Sequence, residues 1–175
     1  MLFTRKDRFE TKKLYEGFIF DLRLDRLRSE DGAEVEREVV EHNGGVVIAA
    51  QPEPDSIILI EQYRYSLDET ILELSAGRIE KGEDPKIAAV RELREETGYV
   101  ASQWSTMTEL FSAPGFCTEI LYLYRAAELQ FEGKDLDMDE ETEVVVLSLE
   151  DAWELVKSGK IKDCKTVAGI GMLIH

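Results

Sequence analysis

The sequence predicts an α+β fold, in which a mixed β-sheet carries helices on its faces and is preceded by an N-terminal antiparallel strand pair. Three observations predict it. Short apolar runs bounded by turn residues recur along the chain, helical patterns with capping residues appear between and after them, and no linker, repeat or low-complexity tract separates the two kinds of segment. A length of 175 residues suits one domain with one core. The expectation is a single domain over 1–175, with residues 1–42 contributing an arm of strands.

The elements follow in order. Residues 1–13 are polar and charged and read as an arm. Phe18, Phe20, Leu22 and Leu24 alternate with Ile19, Asp21, Arg23 and Asp25, the period of a half-buried strand. Asp31-Gly32 is a hairpin turn signal, and a return strand follows over about 34–42. Val46 to Ala50 reads as a buried strand. After Pro52, Pro54 and Asp55, Ile57 to Ile60 starts another that runs on to Arg64. Thr70 to Leu74 leads into a loop and then a helix, with Asp84 as its cap, Pro85 at its first position and Gly98 at its end. Strands follow near 106–111, 119–128 and 144–147. Ser148 with Asp151 resembles a capping pair for a helix to about Ser158, and Lys165 to Ile174 reads as a final helix.

Bulk composition removes several function classes. The formal net charge is −16, from 37 acidic and 21 basic residues, which argues against broad binding of nucleic-acid backbones. An anionic substrate would be repelled unless cations offset the field locally. Two cysteines, Cys117 and Cys164, argue against a disulfide framework or thiolate zinc site. Two histidines, His42 and His175, nearly remove histidine metal sites and Ser-His-Asp hydrolysis. Carboxylates remain for acid–base work. No apolar run approaches the ~20 residues of a membrane span, and the N-terminus lacks the apolar stretch of a signal peptide. A soluble cytoplasmic protein without nucleic-acid or membrane partners is expected.

The most informative segment is Gly77 to Tyr99. At roughly 100° per residue, Glu92, Glu95 and Glu96 share one side of the helix, with Ile87, Val90, Leu93 and Thr97 opposite. The expectation is a buried apolar face and a separate acidic one. Three like charges so close favour a divalent cation, and hard oxygen donors suit Mg²⁺, with Mn²⁺ as a substitute. The spacing Gly77-x5-Glu83-x7-Arg91-Glu92-Leu93-x-Glu95-Glu96-x-Gly98-Tyr99 resembles the Nudix box at every fixed position, with Tyr99 in the last aliphatic place.

That resemblance implies a Nudix-type α/β/α sandwich and hydrolysis of a nucleoside diphosphate linked to a further moiety. It implies metal ligation by Glu92, Glu95 and Glu96, by Glu83 directly or through water, and by the carbonyl of Ala76, with Arg91 orienting the glutamates. Phe111-Ser-Ala-Pro114-Gly115-Phe116-Cys-Thr-Glu119 resembles a stretch of the ADP-ribose pyrophosphatase subfamily. Glu61-Gln62-Tyr63-Arg64, Arg37-Glu38-Val39-Val40-Glu41-His42 and Ile161-x-Asp163-x-Lys165-Thr166 also resemble it. Ser75 departs from the proline usual there. The subfamily implies ADP-ribose as substrate, giving AMP and ribose 5-phosphate. Arg64 would contact a phosphate, Glu38 beside Arg37 would contact adenine, and Pro114, Gly115 and Phe116 would line the substrate. Glu119 would be an extra metal or ribose contact, Glu140 or its neighbour Glu141 the general base, and a homodimer would form through the N-terminal strands. Two alternatives stay open: a hydrolase of another nucleoside diphosphate derivative such as GDP-mannose, and a catalytically silent nucleotide-sensing module.

Overall fold

From Arg8 onward the N-terminal polar stretch is a strand. The computed structural model describes residues 3–133 and 142–174. Its chain divides into two units, residues 1–44 with 111–120 and residues 45–110 with 121–175.

In the first unit β1 (Arg8–Glu16), β2 (Asp21–Arg28) and β3 (Glu34–Glu41) form an antiparallel sheet in that order. Most of β1 falls where an arm was expected. Every one of its residues is exposed, so no apolar pattern marks it. The backbone ladder and cross-strand polar pairs hold it. Arg26 donates from Nη1 to Glu10 at 3.0 Å and from Nε to Glu36 at 2.8 Å, tying the three strands together. The buried side of β2 also differs from the expected one. Phe18 is 88% exposed and precedes the strand with Phe20, whereas Arg23, Asp25 and Leu27 are buried. Arg23 and Asp25 can be buried because they neutralise each other, Nε to Oδ2 at 3.0 Å, and because Glu41 also pairs with Arg23. The hairpin turn places Gly32 at φ +86°, which glycine adopts without strain.

Burial works to raise the Asp25 carboxyl, but hydrogen bonds from Thr11, Arg23 and Arg8 outweigh it and hold the group below its ordinary value. A carboxyl depressed in the native state adds stability that is fully present above its unfolded value, about 3.9, and that is lost as pH falls through the native value. Asp25→Asn should therefore melt below wild type at neutral pH. The gap should narrow as pH falls below about 4, read as Tm against pH. A gap independent of pH would contradict the charged pairing.

In the second unit the fully buried β4 (Gly45–Ala50) sits in a four-stranded mixed sheet with β7 (Ser75–Arg78), β9 (Ile120–Phe131) and β8 (Tyr99–Phe111), in the order β7-β4-β9-β8. β9 runs parallel to β4, and β7 antiparallel to it. β5 (Ser56–Arg64), β6 (Glu69–Glu73) and β10 (Thr142–Ser148) form a separate antiparallel sheet, β10-β5-β6. The strands of the expected mixed sheet thus divide between two sheets.

Side-chain alternation in β4 sets the layers. Val46, Ile48 and Ala50 pack with Ile58 and with Ala88, Ala89 and Leu93 of α1 (Pro85–Thr97). Val47 and Ala49 face the other way, in a core shared with Ile57, Leu59, Ala152 of α2 (Leu149–Lys157) and Ile170 of α3 (Cys164–Ile174). Helices therefore cover both sides of the strands, an α/β/α arrangement. Asp84 caps α1 by accepting from the backbone N–H of Lys86 and Ile87, and Gly98 ends it at φ 76°. Among the described residues no helix is long and apolar enough to cross a membrane.

Candidate active site

The acidic helix is turned about its axis relative to the expected faces: Leu93 and Thr97 are buried as expected, but Ile87 and Val90 are not. Glu92 and Glu96 are buried with Ala88, Ala89, Leu93 and Thr97, while Ile87 is 62% and Val90 42% exposed. The small alanines let α1 approach the sheet closely, and the strand beneath supplies polar partners. Ala76 donates its N–H to Glu96 Oε2 at 3.0 Å. Gly77 leaves the room that Glu92 fills: a Cβ there would stand 1.8 Å from Glu92 Cδ. β7, read on sequence only as a loop, is thus a strand that receives two glutamates.

Arg91 gathers the other carboxylates. Its Nε and Nη2 donate to the two oxygens of Glu83 at 3.1 and 3.2 Å, and Nη1 donates to Glu92 at 2.7 Å and Glu95 at 2.9 Å. Nη2 also donates to the Arg78 carbonyl at 3.1 Å. The Arg91 hydrogen bonds hold Glu83 below the usual carboxylate range against the opposing effect of burial, and a bond from the Glu80 N–H adds to them. The same pairing raises Arg91 further above its already high value. One guanidinium thus faces three carboxylates, with buried Glu96 beside them.

These donors fit a divalent cation in type: hard oxygens, in excess of the local positive charge, on a helix held against a glycine. Among the described residues no three His, Cys, Asp or Glu side chains converge in a ready cation cage. In this conformation Arg91 takes the place of a counter-charge for Glu83, Glu92 and Glu95.

A second polar cluster in the same unit surrounds Glu73, which is wholly buried. Arg64 Nε donates to its Oε1 at 2.7 Å and Lys165 Nζ to its Oε2 at 2.5 Å. Lys165 also pairs with Asp163 at 3.0 Å, and Asp163 accepts from the backbone and hydroxyl of Thr166. Glu73 was not singled out on sequence. A lone charge inside the apolar run Ile71-Leu72-Glu73-Leu74 is the signal that could have found it.

In the first unit Val40 donates its N–H to the Phe116 carbonyl at 2.8 Å, and Thr118 donates to the Val40 carbonyl at 2.9 Å. This sets the exposed turn Pro114-Gly115-Phe116 next to the strand that carries Arg37 and Glu38, both also exposed. Glu119 lies 3.4 Å from His42 Nδ1. Glu119 belongs to this unit and the helix glutamates to the other. Glu140 and Glu141 lie outside the described residues.

The chain is similar to known proteins over most of its length. Residues 41–166 match the model of the NUDIX domain. The chain is 39% identical to the ADP-ribose pyrophosphatase of Bacillus subtilis (strain 168), over 93% of this chain and 89% of that protein. It is 37% identical to the methanol dehydrogenase activator of Bacillus methanolicus, over 94% of this chain and 90% of that protein. A crystal structure of an ADP compounds hydrolase superposes with a TM-score of 0.83 at 23% identity, covering 95% of this chain and 91% of that one, and shows the same fold.

Proposed function

Because the chain belongs to the NUDIX domain family, we propose that it hydrolyses the diphosphate of ADP-ribose with the help of a divalent cation, giving AMP and ribose 5-phosphate. The observation that carries the proposal is the gathering of Glu83, Glu92 and Glu95 on Arg91, with Glu96 beside them, over Gly77.

Glu92, Glu96, Glu95 and Glu83, with the carbonyl of Ala76, would hold the cation, Mg²⁺ or Mn²⁺ in its place. A cation bound there would draw charge from the diphosphate oxygens and acidify the attacking water. The side chains do the rest. Arg91 keeps the glutamates in place before substrate arrives. Arg64 offers a guanidinium to a phosphate. Glu38, beside Arg37, accepts from the adenine amino group, and the Pro114-Gly115-Phe116 turn contacts the nucleotide. Glu119 contacts the ribose or a further cation. Glu140, or Glu141 next to it, takes the proton from water as the new P–O bond forms. The bridging P–O bond breaks, and the leaving phosphate carries its electrons away.

The protein acts as a cytoplasmic homodimer without nucleic-acid partners. Support for the dimer comes from the first unit, where Phe9, Leu14, Tyr15, Phe18 and Ile19 are exposed apolar surface that a second copy would cover. The charge of −16 supports the absence of nucleic acid.

A panel of nucleoside diphosphate sugars tests the activity. Product phosphomonoesters release phosphate to an added phosphatase, whereas the intact diphosphate does not. ADP-ribose with Mg²⁺ should give the highest kcat/KM. Chelation should abolish turnover, and Mn²⁺ should restore it. Preference for GDP-mannose would reassign the substrate, and tight binding without turnover would make the protein a nucleotide sensor.

A further inference from the structure

We propose that Glu73 is a positioning residue that sets the Arg64 guanidinium for substrate phosphate, an inference resting on the assignment of Arg64 above. Glu73 is 0% exposed on β6, and a carboxylate there is tolerated only when its oxygens are paired. Each oxygen has its own cation: Arg64 Nε on Oε1 at 2.7 Å and Lys165 Nζ on Oε2 at 2.5 Å.

The two cations are not equivalent. The Lys165 side chain is 12% exposed and that of Arg64 37%. Lys165 is held a second time by Asp163, and Asp163 bonds Thr166, whose hydroxyl accepts from the N–H of Leu74. Lys165 thus belongs to the junction between α3 and the end of β6. Arg64, at the last position of β5, is bonded among the described residues through Nε to Glu73, which leaves its Nη groups for a ligand.

Pinning Nε removes much of the side chain's rotational freedom before any ligand binds, and that freedom would otherwise be lost on binding. The formal charges of Arg64, Lys165, Glu73 and Asp163 balance, so the cluster can be buried while Arg64 keeps an accessible edge. Glu73 therefore contributes to the affinity for a diphosphate ligand and not to the bond-breaking step.

The test is a double-mutant cycle on Glu73→Gln and Arg64→Gln. It measures kcat and KM for ADP-ribose, and the Kd of ADP by calorimetry. Glu73→Gln should raise KM and the ADP Kd about tenfold with kcat within about twofold, because ground state and transition state lose the same contact. In the Arg64→Gln background the Glu73 change should add less than about twofold. A loss of kcat at unchanged KM, or an effect that adds fully in that background, would overturn the proposal in favour of a structural role. If Glu73→Gln does not fold, Glu73→Gln/Lys165→Met removes one charge of each sign and is measured in its place. If the wild type turns over no substrate, the functional assignment fails, and the ADP affinities alone still decide for or against Glu73.

Discussion

Glu96→Gln should lower kcat by about 10³-fold, some 4 kcal/mol of transition-state stabilisation, in a protein that still folds. Glu96 is 1% exposed in the last turn of α1, and it accepts the Ala76 N–H at 3.0 Å. A glutamine amide oxygen of the same shape can accept that hydrogen bond, so the link between helix and strand survives. What is lost is a negative charge at the place proposed for the cation. Removing one member of a crowd of like charges relieves repulsion when no cation is present, and it also removes the attraction between Glu96 and Arg64. The two effects oppose each other, so the variant should melt close to wild type without divalent cation, and gain less in Tm than wild type when Mg²⁺ is added. Turnover equal to wild type, or an unchanged Mg²⁺ response, would refute the cation assignment.

Gly77→Ala should cost about 10²-fold in kcat with little change in Tm, because a reacting group moved by about 1 Å is costly while the fold barely registers it. The glycines at positive φ do not include Gly77, so alanine can adopt its backbone conformation. The demand is for room. The new methyl carbon would lie 1.8 Å from Glu92 Cδ and 2.0 and 2.2 Å from its oxygens. The carboxylate is the far end of a flexible side chain and can swing aside at small cost. In doing so it leaves the Arg91 Nη1 that it holds at 2.7 Å. A fully active alanine variant, by steady-state kinetics beside a melting curve, would show that the position of Glu92 does not matter to the reaction.

Much of the fold was legible because its signals are local. Asp84, Pro85 and Gly98 act within a turn of the helix they bound, and the runs Val46–Ala50 and Ile57–Ile60 are apolar enough to be buried in any arrangement. The resemblance of Gly77 to Tyr99 to the Nudix box was legible for the same reason, since fixed offsets along the chain carry it. The failures share a cause. Helical periodicity orders the side chains around α1 but does not say how far the helix is turned against the sheet: Leu93 and Thr97 are inside as expected, Ile87 and Val90 are not. The apolar count favoured Ile87 and Val90, yet Ala88, Ala89, Glu92 and Glu96 are inside. Around β2 the same rule chose Phe18, Phe20, Leu22 and Leu24 over Arg23 and Asp25, which are buried. β1 carries no alternating apolar pattern, since Phe9, Leu14 and Tyr15 are irregularly spaced, and it exists through its partners on β2.

By itself the sequence determined where most helices and strands run, which glutamates share the helix, and the strong negative charge, because each depends on residues within a few positions or on simple composition. Only the tertiary structure decided which side of α1 is buried, that Gly77 makes room for Glu92, and that Glu73 holds Arg64 and Lys165. A charged side chain goes inside when a distant segment brings its counter-charge or its hydrogen-bond donor, and that delivery is a property of the folded chain.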